Sequence, residues 1–150
     1  MQLQWVERAF DQLSPAELYA ILRLREEVFI VEQTCIYLDA DGKDEKSHHV
    51  FALNHDGLCM ACLRIPAPGV SYREVSIGRV ATHSLVRGTG TGLELMRRGM
   101  AQVERLYGKV TVRISAQSYL LRFYSSFGFS PVGEEYLEDD IPHTEMLYIP

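Results

Sequence analysis

The sequence is poor in cysteine, in long apolar runs and in positive charge, and each shortage argues against a class of protein. It has three cysteines, an odd number that argues against a disulfide framework. No apolar run approaches the roughly 18 residues of a membrane span. The start, "MQLQWVERAF", lacks the basic region and apolar block of a secretory signal. We therefore expect a cytoplasmic protein that has no membrane partner.

The net charge of −5 argues against nucleic acid as a partner, because phosphate backbones bind basic surfaces. It is compatible with a cationic substrate. The acidic run "EEYLEDD" could attract such a substrate, or it is simply a solvated loop.

The cysteines Cys59 and Cys62 have C-x-x-C spacing, but they lie within "GLCMACLRI", which predicts a strand. Residues three apart on a regular strand point to opposite faces, so we expect buried structural thiols rather than a redox pair or a zinc site. No metal site is predicted, because no metal-ligand spacing connects His48, His49, His55 and His83.

With 150 residues, 47% of them apolar and 23% charged, the chain matches one globular domain spanning residues 1–150. Periodicity and turn chemistry predict the order β-α-β-β-β-α-β-α-β-β, an α/β arrangement with a mixed sheet. "SPAELYAILRLREEVFIVEQ" predicts one helix opened by a capping box of Ser14 and Glu17. "EVSIGRVAT" predicts one strand, "TCIYLDADGKDEKS" a loop, and "SPVGEEYLEDDIPHTEMLYI" two final strands around an acidic loop.

The stretch "VRGTGTG" lies between a predicted strand and a predicted helix. A nucleotide P-loop requires a lysine after the glycines, and a dinucleotide fingerprint requires a third glycine where Leu93 or Leu95 stands. Both are absent. Main-chain amides at a helix N-terminus still favour an anion, and Arg87 adds a charged donor. A plain glycine-rich turn is the alternative.

The wider pattern resembles a known family. Arg87, Gly90 and Gly92 form R-x-x-G-x-G, and "SAQSYLLRFYSSFGF" follows further along the chain. Together they resemble the GNAT superfamily of N-acetyltransferases over nearly the whole chain. "REEVFIVEQTCIYLDADGKD", "IGRVAT" and "DDIPH" resemble its ElaA subgroup, which usually has glycine where Asp140 stands. The resemblance implies a mostly antiparallel mixed sheet of about six to seven strands with about four flanking helices, splayed at the cofactor site.

The resemblance also implies acetyl-CoA as cosubstrate and assigns its contacts. The strand residues Val80, Ala81 and Thr82 would pair with pantetheine, and an N–H near Val80 would polarise the thioester carbonyl. Gln117 would contact pantetheine. The pyrophosphate would lie on main-chain amides of Arg87, Gly88, Thr89, Gly90, Thr91 and Gly92.

By the same resemblance, Tyr124 would donate a proton to the departing thiolate during direct attack by a primary amine. The alternative is that Tyr124 and Phe123 are only core aromatics. The amine must lose a proton, for which Glu32 and His143 are the candidates. Glu32 could instead be a solvated helix end, and His143 a turn residue bonded to the backbone.

Two other functions stay open at this point. A non-catalytic acyl-CoA-binding module would keep the glycine loop without needing the proton donor, and a nucleotide-binding domain would bind without pantetheine. The acceptor could be a small-molecule amine or a protein amine, and the last strands could pair two copies into a homodimer.

Overall fold

The secondary structure comprises nine strands and three α-helices in a computed structural model that describes residues 1–150. The helices are α1 (Pro15–Arg25), α2 (Thr91–Tyr107) and α3 (Leu121–Ser125). The strands are β1 (Gln4–Ala9), β2 (Ser47–Leu53), β3 (Cys59–Pro66), β4 (Val75–Ser76), β5 (Gly78–Thr82), β6 (Val112–Gln117), β7 (Phe129–Pro131), β8 (Tyr136–Glu138) and β9 (Ile141–Tyr148).

The strands form two sheets that separate at one point. The first has the order β1-β2-β3-β5 and is antiparallel throughout. The second has the order β4-β6-β9-β7, with β8 paired to β9, and only β4 and β6 run parallel. The consecutive strands β4 and β5 belong to different sheets. A gap therefore opens between β5 and β6, which confirms the predicted mixed and splayed sheet.

Helices cover both faces of the first sheet. α1 packs through Ile21 and Leu24 on one face, and α2 packs through Leu95 and Met96 on the other. The predicted capping box is confirmed. The Glu17 N–H donates to Ser14 Oγ at 3.1 Å, and the Ser14 N–H donates to Glu17 Oε1 at 2.9 Å. None of the helices has both the length and the apolar composition required to cross a membrane.

The first helix is shorter than predicted. It ends at Arg25, and the chain continues as a π-helical segment, Glu26–Glu32. A π-helical turn is wider than an α-helical one and recurs at functional sites. Here it carries Phe29 to the wall of a cavity described below.

The stretch predicted as one strand is divided at Ile77 into β4 and β5. Arg79 has a positive φ of 49°, and the β3–β5 register shifts between Cys62 and Arg64, so a bulge bends the chain here. The prediction of two final strands was also incomplete. The acidic loop contains the additional strand β8, which forms a hairpin with β9.

Both thiols of the C-x-x-C stretch are free and buried, as predicted, but they do not point to opposite faces. Cys59 and Cys62 pack in the same cluster beneath α1. The β2–β3 register shifts between Ala52 and Leu53, and this irregularity breaks the alternation that a regular strand would impose.

Candidate active site

The open edge of β5 faces the gap between the two sheets. The N–H of His83 donates to Met60 of β3 at 2.8 Å, and Ala81 pairs with Cys62 of β3. Because alternate residues of an antiparallel strand direct their polar groups to opposite sides, Val80 and Thr82 direct theirs to the open edge. Val80 and Thr82 therefore face the gap, although the Thr82 carbonyl accepts from Arg87, while Ala81 is turned towards β3.

The glycine stretch leads from β5 into the N-terminus of α2. Gly88 and Gly90 have positive φ angles of 79° and 87°, which L-residues rarely adopt. Gly90 is the N-cap of α2 and provides no side-chain cap. The first N–H groups of α2, from Thr91 onwards, therefore point into open space with the helix dipole behind them, an arrangement that fits a diphosphate.

The side chain of Arg87 lies across the end of this edge. Its Nε and Nη2 donate to the Thr82 carbonyl at 3.2 and 2.8 Å, and its Nη1 lies 2.8 Å from a carboxylate oxygen of Glu32. Glu32 is thus placed beside the glycine stretch and does not line the cavity. Its partner, Arg87, is one of the residues predicted to bind the cofactor.

A cavity of about 100 Å³ lies between β5 and β6. Its lining includes Val80, Gln117, Tyr124, Tyr37 and His143. It thus joins predicted residues of the cofactor side to the predicted proton acceptor His143. These side chains come from segments far apart in the sequence.

Tyr124 is buried, with 7% of its surface exposed, and it lines the cavity. Burial raises the pKa of its phenol above the ordinary value, and the neighbouring Tyr119 adds to the shift. The Tyr124 hydroxyl forms no hydrogen bond with another protein group. The group therefore stays protonated and is free to donate into the cavity.

Gln117 faces Gln33 across the cavity wall. The two amides exchange hydrogen bonds of 3.3 and 3.4 Å, which link the end of β6 to the residue after the π-helical segment. These long bonds leave other amide lone pairs and N–H groups available. Gln33 was not predicted as a site residue.

His143 is buried on β9, opposite Gln117 of β6. Its Nδ1 lies 2.7 Å from the Ile141 carbonyl, which can only accept, so Nδ1 carries the proton. Nε2 is then the basic nitrogen, 3.3 Å from Glu138 Oε2.

Three arginines hold the acidic loop that follows the π-helical segment. Arg25, which is buried, places Nε 2.8 Å from Asp39 Oδ2 and Nη1 2.7 Å from Asp44 Oδ1. Burial alone would raise the pKa of Asp44, but the hydrogen bond and charge of Arg25 outweigh it, and the pKa is lowered.

The same network continues towards the cavity. Arg64 Nη2 lies 2.7 Å from Asp41 Oδ2, and Arg79 Nε lies 2.9 Å from Asp39 Oδ1. Burial would raise the pKa of Asp41, but its bonds to Arg64 hold it well below the ordinary range. We predicted only a loop here. The D-x-D-x-x-D spacing was visible, but its basic partners lie on α1, β3 and β5, which only the fold brings together.

The comparisons with known proteins agree with this geometry. The family model of the acetyltransferase (GNAT) domain matches residues 25–149. The ElaA protein of Escherichia coli is 38% identical over 146 residues, covering 96% of this chain and 95% of that protein.

Two solved structures share the fold and much of the sequence. An acyl-CoA N-acyltransferase from Pseudomonas aeruginosa superposes with a TM-score of 0.93 at 44% identity, covering 98% of this chain and 99% of that one. Escherichia coli ElaA gives a TM-score of 0.91 at 36% identity, with the same coverage. The family model and these relatives, together with the open strand edge and the uncapped helix N-terminus, show that the chain belongs to the GNAT acetyltransferase family, beside ElaA. It is therefore an acyltransferase that takes its acyl group from acyl-CoA.

Proposed function

We propose that the chain is an acetyl-CoA-dependent N-acetyltransferase that acylates a primary amine by direct attack. The observation that carries the proposal is the Tyr124 hydroxyl, which lies unpaired in the cavity beside the open edge of β5. The small cavity volume, about 100 Å³, supports acetyl rather than a long acyl chain.

The proposed reaction needs no covalent enzyme intermediate. The amine nitrogen forms a C–N bond to the thioester carbonyl, the C–S bond breaks, and Tyr124 gives its proton to the departing thiolate. The Val80 N–H, directed to the open edge, would stabilise the oxyanion. Pantetheine would run along the strand segment Val80, Ala81 and Thr82 and would pair with the groups of Val80 and Thr82 that face the gap, since Ala81 pairs with β3.

The remaining cofactor contacts are proposed for the neighbouring loop. The diphosphate would bind the uncapped N-terminus of α2, because a helix dipole and free N–H groups favour an anion there. Gln117 would contact the pantetheine arm from β6. The loop residues involved are Arg87, Gly88, Thr89, Gly90, Thr91 and Gly92.

His143 is the stronger candidate for the proton acceptor. It lines the cavity, and its Nε2 is the basic nitrogen beside Glu138. Glu32 is paired with Arg87 outside the cavity, which supports a role on the cofactor side. A His143→Gln variant should lower kcat while acetyl-CoA binding, measured by calorimetry, stays nearly unchanged, because the glutamine amide cannot accept the amine proton.

The Tyr124→Phe variant tests the proposal. We expect kcat to fall by about 100-fold, because a positioned acid contributes at least that much, while acetyl-CoA binding is nearly unchanged. Tyr119→Phe, an exposed neighbour on the preceding turn, is the matched control and should keep full activity. Full turnover in Tyr124→Phe would remove that residue from the mechanism.

The alternative is a module that binds acyl-CoA without catalysis. This alternative predicts coenzyme binding by calorimetry but no thiol release with any amine.

We also propose that residues 1–150 act as one acetyltransferase domain and that the edge strand β7 pairs two copies into a homodimer. Light scattering would measure the mass in solution.

A further inference from the structure

The charges around the cavity are unevenly compensated. The one arginine that lines it, Arg79, is bound by Asp39 at 2.9 Å and by Asp41 at 3.3 Å. The carboxylates of Glu138 and Asp139 also line the cavity, and no arginine or lysine pairs with either. The cavity therefore offers no free cation to an acceptor, but it does offer negative charge to an ammonium group.

A wider hollow of about 580 Å³ opens outward from the cavity, and we call it the vestibule. Its walls are the segments 33–36 and 137–141, and a bond of 3.3 Å from Cys35 Sγ to the Asp139 carbonyl joins them. The vestibule adjoins the cavity, because both spaces are lined by Gln33, Cys35, Asp139 and Ile141.

The vestibule is apolar and acidic. Ile36 and Leu137 face each other from the two walls and are 98% and 68% exposed, although both are large apolar side chains. Asp139 and Asp140 form its acidic end, and no lysine or arginine lines it. Partial desolvation and the charges of these aspartates raise the pKa of Cys35.

The cavity ends at the Tyr124 side chain, which is 7% exposed and whose hydroxyl has no hydrogen-bond partner, so this hydroxyl can receive a polar group of a bound ligand. We propose that the acceptor enters through the vestibule and is a primary amine with an apolar body and no carboxylate, of the arylalkylamine type. This rests on the proposed function. The ammonium group is drawn by Glu138 and Asp139, and the apolar body lies between Ile36 and Leu137.

A second cavity of about 450 Å³ represents the competing route. It shares Arg79, Glu138 and Asp139 with the first cavity, and it is also lined by Lys43. No carboxylate pairs with Lys43, so of the two routes this one would better suit an acceptor that carries a carboxylate. We favour the vestibule because two large exposed apolar side chains, Ile36 and Leu137, line it, whereas only Leu38 does so here.

Thiol release from acetyl-CoA should be compared for phenethylamine, phenylalanine and spermidine. Phenethylamine and phenylalanine differ only in the carboxylate, and repulsion at the acidic mouth should lower kcat/KM for phenylalanine by at least about tenfold. Preference for phenylalanine or spermidine would overturn the acceptor class while leaving the proposed function intact. No release with any amine, despite acetyl-CoA binding, would overturn both.

Vestibule variants then locate the site. Ile36→Ser and Asp139→Asn should each raise KM for phenethylamine by about threefold to tenfold, because an apolar contact or an attractive charge is lost, with acetyl-CoA affinity unchanged. Ile149→Ser and Asp56→Asn make the same changes at exposed positions elsewhere and should alter nothing. If instead only Lys43→Ala changes acceptor KM, the vestibule assignment is wrong.

Discussion

Under the proposed function, the two sides of the cavity recognise their substrates by different means. On the cofactor side, the open edge of β5 and the N-terminus of α2 present main-chain groups. On the acceptor side, the contacts come from side chains such as His143 and Glu138, on segments held by buried ion pairs. The cofactor side therefore follows from local backbone conformation, whereas the acceptor side depends on the packing of distant segments.

This contrast predicts that a change in the buried ion network should damage the acceptor side more than the cofactor side. Arg25→Met removes one of the two arginines that pair with Asp39 and with Asp44, and it should lower the free energy of unfolding by about 3 to 5 kcal/mol, because two buried carboxylates each lose a charged partner. Urea denaturation measures this. In the folded fraction, acyl-CoA affinity should be kept while acceptor KM rises.

The control for that variant is Arg23→Met, two residues earlier on α1. Arg23 forms an exposed pair with Glu27 at 3.3 Å, and such pairs contribute at most about 1 kcal/mol. Equal stability of the two variants would show that the buried network is not what fixes the acceptor side.

On the cofactor side, Gly90→Asp should weaken CoA binding by at least about 100-fold. The substitution places a negative charge at the helix N-terminus and a side chain at a φ of 87°. Gly90→Asn has nearly the same size and tolerates positive φ, so it separates charge from shape. Calorimetry gives the affinities, and unchanged binding by Gly90→Asp would refute the loop assignment.

Falling pH should destabilise the acceptor side first, through the loop that carries Asp41 and Asp44. The pKa values of Asp41 and Asp44 are lowered in the folded state from an ordinary value of 3.8, so the unfolded chain takes up protons first as pH falls. Their stabilisation is complete above that value and is lost progressively below about pH 4. Unfolding free energies measured against pH should show a weaker dependence in Asp44→Asn, but no change in Asp56→Asn.

The smallest effect is expected at the Glu32–Arg87 pair, which lies beside the glycine stretch on the cofactor side. Glu32→Gln should tighten acyl-CoA binding by about twofold to fivefold at low salt, because the arginine is released and a negative charge near the diphosphate is removed. Glu27→Gln on the same segment is the control. A large fall in kcat would instead restore Glu32 as the proton acceptor.

Much of the cofactor side could be predicted from the sequence. Glycines at alternate positions, a preceding strand and a following amphipathic helix specify a local conformation, and the structure has Gly88 and Gly90 at positive φ with α2 starting directly after them. The break between β4 and β5 was missed, because the bulge at Arg79 depends on pairing with β3.

The acceptor side shows the limit of such prediction. The sequence by itself determined the family, most of the order of elements and the glycine loop, since these depend on residues near one another in the chain. Only the tertiary structure decided that Asp39, Asp41 and Asp44 are neutralised by arginines of α1, β3 and β5, and that Glu32 lies with the cofactor loop while His143 lies in the cavity. Ion pairs and cavities depend on distances through space, which sequence spacing does not encode.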